Sequence, residues 1–298
     1  MTTFLTGLSA FPITPADANG KVDTMALKRL LAPLVAAKVD SIGLLGSTGT
    51  YPFLTRGERR RATDAALEET NGKVPVLVGI GALRTDETIA LAQDARAAGA
   101  SAGLLAPVSY TPLTDTEVFE HFSAVAAASD LPIVIYDNFA TTHFRFSAEL
   151  VGRIAHIPGV VAVKSTAPQP DLVADHLRQL RERVPPGFSV GYAGDWNVTE
   201  ALVAGGDAWY SVAAGLFPKA CLAIVRAAQA GDAAEARRLD AAMQPLWSLF
   251  KEFSSLRVMY AAAAITGISD AAPPRPVLPL SDAATDRVAQ VVKEMSIS

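Results

Sequence analysis

A lysine that ends an apolar strand is a candidate nucleophile, and this chain carries one. Lys164 closes the run Val160-Val161-Ala162-Val163, whose β-branched and small residues read as a buried parallel strand. The other lysines, Lys21, Lys28, Lys38, Lys73, Lys219, Lys251 and Lys293, stand in polar turns or on helices beside charged or polar neighbours. Taking an ammonium out of water favours the free amine, which attacks carbonyl carbons. Next to the small polar pair Ser165-Thr166, that points to Schiff-base chemistry. Taken alone, Lys164 reads more simply as a side chain snorkelling into water from a strand tip.

Other chemistry-bearing residues follow the apolar runs. Gly46-Ser47-Thr48-Gly49-Thr50-Tyr51-Pro52 offers backbone N–H groups and two hydroxyls, suited to a carboxylate or a developing oxyanion. Tyr136, followed by Asp137-Asn138, ends another run, and a phenol there can exchange protons with substrate hydroxyls. Ser109-Tyr110 and Gly194-Asp195 occupy equivalent places. Each has a plainer reading, an ordinary turn or a strand-end aromatic with its hydroxyl in water. Their combination is more specific than any one of them. His121, His143, His156 and His176 show no paired ligand spacing, so neither metal nor organic cofactor is expected.

These residues need a scaffold that brings strand ends together. Eight apolar runs recur: Gly7–Thr14, Val39–Gly46, Val74–Gly81, Ala102–Val108, Pro132–Tyr136, Val160–Ser165, Phe188–Gly194 and Ala208–Val212. From the second to the seventh their starts fall at 39, 74, 102, 132, 160 and 188, the spacing of one strand plus one crossover helix. The implied fold is α/β, a closed (β/α)8 TIM barrel, with its active site at the C-terminal ends of the strands. Strands five and six are then neighbours, which brings Tyr136 and Lys164 to one mouth. Thr55–Glu58 and Thr114–Glu117 carry the capping-box pattern, and Asp23 is an N-cap for a helix that should kink at Pro33. Residues 1–216 are expected to form the barrel, and 217–298 a C-terminal helical extension packed tightly on it. Gly79-Ile80-Gly81 is only a fragment of a dinucleotide fingerprint, so a Rossmann-type dehydrogenase has little support.

Composition narrows the partners. The chain has 298 residues, half of them hydrophobic and 19% charged, a balance that fits a packed globular enzyme. A net charge of −4 provides no basic field for nucleic acid or an anionic membrane. Cys221 is the single cysteine, which excludes an intramolecular disulfide and suits a reducing compartment. Met1–Pro12 lacks the basic start of a signal peptide, and no segment is apolar for long enough to span a bilayer. A cytoplasmic protein acting on small molecules is expected.

Across nearly its whole length the chain resembles the dihydrodipicolinate synthase and N-acetylneuraminate lyase family of pyruvate-dependent class I aldolases. The resemblance rests on Phe11-Pro12-Ile13-Thr14-Pro15, the Gly46–Pro52 turn, Gly79-Ile80-Gly81-Ala82, the Tyr136 strand, Val161-Ala162-Val163-Lys164, Gly194-Asp195, Gly205-Gly206, Ser211-Val212 and Arg275-Pro276-Val277-Leu278-Pro279-Leu280. It implies that Lys164 forms the imine with pyruvate or another 2-keto acid, and that an aldehyde is the second substrate. It implies that Tyr136 moves protons, that Thr48 is catalytic with it and Lys164, that Ser47, Thr48 and Gly49 hold the carboxylate, and that Gly194 lines the site. It also implies a homo-oligomer, most simply a tetramer. Four positions depart from the pattern. Val108-Ser109 stand where the synthase branch has a tyrosine pair, so the tyrosine lent by a neighbouring subunit is absent and Tyr110 is the candidate substitute. Thr50 replaces a glutamate. Thr141 replaces the arginine that binds a second carboxylate, with Arg145 four residues on as the nearest guanidinium. Tyr210 replaces an isoleucine beside the pyruvate pocket. The departures point away from efficient dihydrodipicolinate synthesis; a dehydratase or aldolase of 2-keto-3-deoxy sugar acids, or a silent keto-acid binder, are the other readings.

Overall fold

The computed structural model describes residues 3–297. Eight parallel strands pair in chain order: β1 (Gly7–Ala10), β2 (Ser41–Leu44), β3 (Val76–Gly79), β4 (Ala102–Leu105), β5 (Ile133–Asp137), β6 (Val160–Thr166), β7 (Ser189–Ala193) and β8 (Ala208–Ser211). β8 pairs back onto β1, so the sheet is a closed barrel. Each apolar run of the sequence coincides with one of these strands, β5 and β6 extending one residue beyond theirs, to Asp137 and Thr166, and the closure excludes an open dinucleotide-binding sheet.

Strand alternation divides the core in two. Outward residues such as Leu8, Ile42, Val76, Ile133, Val163 and Val190 pack beneath the helices. Inward residues such as Leu77, Leu104, Val134 and Ala162 fill the barrel together with Phe11, Tyr136 and Tyr210. Both faces are buried, which is why the strands read as unbroken apolar runs. Lys164 lies two residues beyond Ala162 on β6 and therefore points inward too. Its strand neighbours in register are Tyr136 on β5 and Gly191 on β7.

Missing side chains make room for the large ones inside. A Cβ at Gly43 would lie 2.1 Å from Phe11 Cζ, and one at Gly191 would lie 2.5 Å from Tyr210 Cε2. These two glycines let aromatic rings occupy the barrel interior at the level of Lys164. Gly79 meets the Leu45 carbonyl oxygen, 1.7 Å from where its Cβ would be; packing, not phosphate binding, accounts for that glycine.

The helix caps match the sequence with one correction. Asp23 accepts from the backbone N–H groups of Met25 and Ala26, and the helix Thr24–Ala37 continues through Pro33. Thr114 and Glu117 form a reciprocal capping box. At Thr55 the box is one-sided. Thr55 Oγ1 accepts from Glu58 N, but the Glu58 carboxylate accepts from Val22 N at 2.8 Å instead of returning to the cap. An unsatisfied N–H in the preceding βα loop outcompetes the local one.

After β8 come four helices, Pro218–Gln229, Ala233–Phe253, Ser255–Ile265 and Asp282–Ile297. The first packs on β1 and on Thr24–Ala37, completing the helical ring around the barrel. The second buries Trp247 and Phe250, with Trp247 edge-on to Trp209 of β8 at 6.4 Å. Ser254, at φ 72°, turns the chain between the second and third helices. Tyr260 Oη donates to Thr14 O at 3.3 Å, tying the third helix to the loop after β1. No helix among the described residues is long and apolar enough to cross a membrane.

Candidate active site

Lys164 is 5% exposed, which rules out the snorkelling reading. Its Nζ lies 3.7 Å from the ring centroid of Phe11, 4.7 Å from that of Tyr136 and 5.8 Å from that of Tyr210. Burial lowers its pKa from 10.5 to about 7, with the opposing pull of Asp195 too weak to restore it. A sizeable fraction of this amine is therefore neutral at neutral pH, as nucleophilic attack requires.

Tyr136 is 4% exposed, and its hydroxyl is bonded within the protein instead of being left to water. Tyr136 Oη shares a short hydrogen bond with Ser47 Oγ from the turn after β2. Asn138 Nδ2 donates to it at 3.1 Å and Thr141 Oγ1 at 3.4 Å. Beside it Ser165 Oγ donates to Asp137 Oδ2 at 3.1 Å, fastening the ends of β5 and β6 together. Burial raises the Asp137 carboxyl to about 6.

These groups open onto a cavity of about 490 Å³ at the C-terminal ends of the strands. Ser47, Thr48, Tyr136, Thr141, Lys164, Gly194 and Tyr210 all line it, so seven residues scattered along the sequence meet at one place. Gly49 does not line the cavity; the backbone of Leu45 crowds its Cα, where a Cβ would lie 2.9 Å from Leu45 Cα. Tyr110 is also outside, 97% exposed on the loop after β4. Tyr210 has its ring in the barrel floor, edge-on to Phe11 at 5.9 Å. A groove of similar size between Phe119, Arg153 and Arg183 lies on the outer helices and lacks a candidate nucleophile.

Several residues in the site are not evident from the sequence. Phe11 supplies the nearest ring to Lys164, and Asn138 binds the Tyr136 hydroxyl. Phe250, Ser254, Ser255 and Leu256 bring the C-terminal helices to the cavity rim. Asp195, 3% exposed, accepts from Trp209 Nε1 at 2.9 Å and from Ala213 N at 2.8 Å; burial raises its carboxyl to about 6. Asp195 and Asn138 had a signal in their places at strand ends and Phe11 in the Phe11–Pro15 motif, but none of these signals gave the contact made. Among the described residues no group of three or more His, Cys, Asp and Glu could hold a metal ion.

Fold and site together define a barrel with a buried amine facing the cavity at the C-terminal ends of its strands. The chain belongs to the dihydrodipicolinate synthetase family, whose model matches residues 4–295. It is 32% identical over 294 residues to a 4-hydroxy-tetrahydrodipicolinate synthase of Azoarcus sp. strain BH72, covering 98% of this chain and 99% of the relative. A crystal structure of a dihydrodipicolinate synthase from Agrobacterium tumefaciens strain C58 is 55% identical, with a TM-score of 0.96 and 99% of each chain covered. The 4-hydroxy-tetrahydrodipicolinate synthase of Methylacidiphilum fumariolicum SolV superposes with a TM-score of 0.90 at 28% identity, over 98% of this chain and 96% of that one. The protein is accordingly a class I aldolase, a pyruvate-dependent carbon–carbon lyase that works through a Schiff base.

Proposed function

We propose that Lys164 forms the imine with pyruvate or a related 2-keto acid, and that the enzyme joins it to, or releases from it, a small aldehyde lacking a carboxylate at the mouth. The carrying observation is Lys164 itself, a buried amine with its pKa near 7 at the floor of the strand-end cavity. The neutral amine attacks the keto carbon to give a carbinolamine. Tyr136, in register on the next strand, passes its phenol proton to the departing hydroxyl. The resulting iminium is an electron sink, so the methyl group beside it loses a proton and the enamine attacks an aldehyde. Among the described residues the N–H group of Thr48 donates to no acceptor. Together with the Ser47 and Thr48 hydroxyls it would hold the pyruvate carboxylate. Borohydride added with pyruvate tests this reading, and peptide mapping should find one adduct, on Lys164. An adduct on Lys219 or Lys73, or none, removes it.

The names of the relatives would suggest aspartate semialdehyde as the aldehyde; the cavity argues against it. Lys164 is the sole cation among the residues lining it. Thr141 offers one hydroxyl, and Arg145 stacks on the Phe139 ring at 4.3 Å, away from the cavity lining. Losing a charge-assisted contact to the second carboxylate costs about 1.5–3 kcal/mol, roughly ten- to a hundredfold in affinity. We expect kcat/KM with pyruvate and aspartate semialdehyde below the roughly 10⁴ M⁻¹s⁻¹ of an efficient enzyme; a higher value would restore the synthase activity. Asn138, Thr141, Ser254 and Ser255 give the mouth neutral hydrogen-bonding groups. That lining suits a hydroxylated acceptor and keeps a 2-keto-3-deoxy sugar acid dehydratase or aldolase as the second reading.

Assembly as a homo-oligomer, most simply a tetramer, and a cytoplasmic location are part of the same proposal. Phe53, Leu83 and Tyr110, exposed by 43%, 66% and 97%, sit on the consecutive loops after β2, β3 and β4. Exposed apolar side chains of this kind, aromatic ones above all, are enriched at interfaces. Sedimentation at micromolar concentration should show a multiple of the 31.2 kDa chain, and a monomer would refute the assembly.

A further inference from the structure

Tyr136 Oη has three partners, and their hydrogen-bonding polarity decides where its proton can go. Ser47 Oγ can donate or accept. Thr141 Oγ1 has a single proton and two acceptors in reach, Asn138 O at 3.2 Å and Tyr136 Oη at 3.4 Å. Asn138 is different. Its Oδ1 already accepts from Ala140 N at 3.1 Å, capping the short helix Phe139–Thr142. A backbone N–H can only donate, so the amide cannot flip without losing that bond. Its Nδ2 is thereby fixed toward Tyr136 Oη, at 3.1 Å, as a donor only.

We propose that Asn138 is a positioning residue for the aldolase chemistry: a locked amide donor that holds the lone pair of Tyr136 Oη, turns the phenol proton toward Ser47, and stabilises the phenolate when that proton leaves. The relay is then built within one subunit, with all three partners of the phenol drawn from this chain. This rests on the reading of Tyr136 as the proton carrier for the Lys164 imine. In the dehydration step the carbinolamine C–O bond breaks and the phenol O–H proton joins the departing hydroxyl to make water. The nitrogen lone pair forms the C=N bond, leaving an iminium on Lys164 and a phenolate on Tyr136. The Asn138 N–H then becomes a charge-assisted donor, about twice as strong as a neutral one. Ser47, which lines the cavity, stands on the path by which the proton returns.

The other ionisable groups facing the phenol are few. Lys164 presents itself from β6, with Asp195 acting on it from the turn after β7. Tyr51 approaches from the turn after β2. On the β4 side Leu104 and Ala106 are apolar. Asp137, on the same strand as Tyr136, is turned to Ser165, with Arg145 as its nearest countercharge. Asn138 is thus the sole neutral donor with no competing acceptor.

The experiment uses Asn138→Asp, which keeps an oxygen to cap Ala140 N but replaces the donor by an acceptor, and Asn138→Ser, which keeps a cap and shortens the reach. The rate of borohydride-trappable adduct formation with pyruvate is measured against pH, after circular dichroism has confirmed folding. Both variants should form the adduct about ten- to a hundredfold more slowly. Asn138→Asp, which also sets a like charge beside the developing phenolate, should be the slower of the two, while Asn138→Ser should keep the rising limb near pH 7 that Lys164 sets. Pyruvate KM should change little. A folded variant of either kind with the wild-type rate overturns the proposal, and so does slowing accompanied by a comparable rise in pyruvate KM, since a merely structural defect at the mouth would weaken binding as well. If Asn138→Asp does not fold, Asn138→Ser alone decides by the same rate. Failure of the wild-type chain to trap pyruvate would instead remove the Lys164 reading on which the proposal stands.

Discussion

Lys164→Met is expected to abolish the pyruvate adduct completely and, at the same time, to make the fold more stable. The nucleophile is gone, so no borohydride-stable bond can form anywhere in the cavity. The stability gain follows from the desolvation that makes the amine reactive. Lowering this pKa from 10.5 to about 7 corresponds to a folded-state penalty on the order of 5 kcal/mol for the charged form. The sign follows from proton counts. Between about pH 7 and 10.5 the unfolded chain binds the proton that the folded chain has released, so stability rises with pH across that window. The penalty is therefore full below about pH 7 and vanishes above 10.5. The pull of Asp195 is already contained in that shift; cation–π contact with Phe11 at 3.7 Å offsets part of the penalty, so a gain of about 2–4 kcal/mol is expected near pH 6, shrinking toward pH 10. Methionine fills a similar space without a charge. Denaturant unfolding of both proteins at the two pH values measures the effect. If the variant is no more stable than wild type near pH 6, Lys164 is hydrated in solution and the reactive-amine argument fails. In the wild-type chain the same titration sets the trapping rate, which should climb up to about pH 7 and then level off. An ordinary lysine would keep climbing toward 10.5.

Lys164 was legible in the sequence for the reason that makes it costly: a cation extending an apolar parallel strand has no structural use. The barrel was legible because strands buried on both faces leave continuous apolar runs at a crossover period, and β1–β8 fall inside those runs except for one residue at the C-terminal ends of β5 and β6. Contacts that depend on interior packing left no such trace. Nothing in the spacing of Phe11, Gly43 and Gly191 announces that two glycines vacate space for aromatic rings beside the amine. Asn138 looked like one polar residue among three after β5, and its importance arises from a backbone N–H two residues on that fixes its amide. The contribution of Phe250–Leu256 to the cavity was hidden because the C-terminal helices reach the mouth only through tertiary packing. Glu58 shows the reverse error. Its spacing from Thr55 matched a local capping rule, and a nonlocal N–H, that of Val22, claimed the carboxylate.

Tyr136→Phe should leave the barrel standing and slow turnover by roughly 10²–10⁴-fold, the contribution of a positioned acid–base group. The variant keeps the ring and its packing among the inward residues, and loses one oxygen. Three hydrogen bonds go with it, those to Ser47, Asn138 and Thr141. All three partners line the cavity, so water can replace the phenol oxygen and the stability loss should stay near 1 kcal/mol. The kinetic loss is larger because water is neither held in line with the carbinolamine nor matched to it as an acid. Loss of an interaction made mainly in the transition state lowers kcat and kcat/KM together and leaves KM for pyruvate nearly unchanged. Lys164 remains, so borohydride should still trap the same residue, more slowly. Ser47→Ala should slow turnover less, since Asn138 still supports the phenol from the other side. Single-turnover trapping separates the outcomes. A Tyr136→Phe chain that forms the adduct at the wild-type rate but fails in turnover would confine the phenol to the carbon–carbon step. A chain that does both at the wild-type rate would mean that proton transfer bypasses Tyr136, and the reading of the β5–β6 pair as nucleophile and acid–base partner would have to be given up.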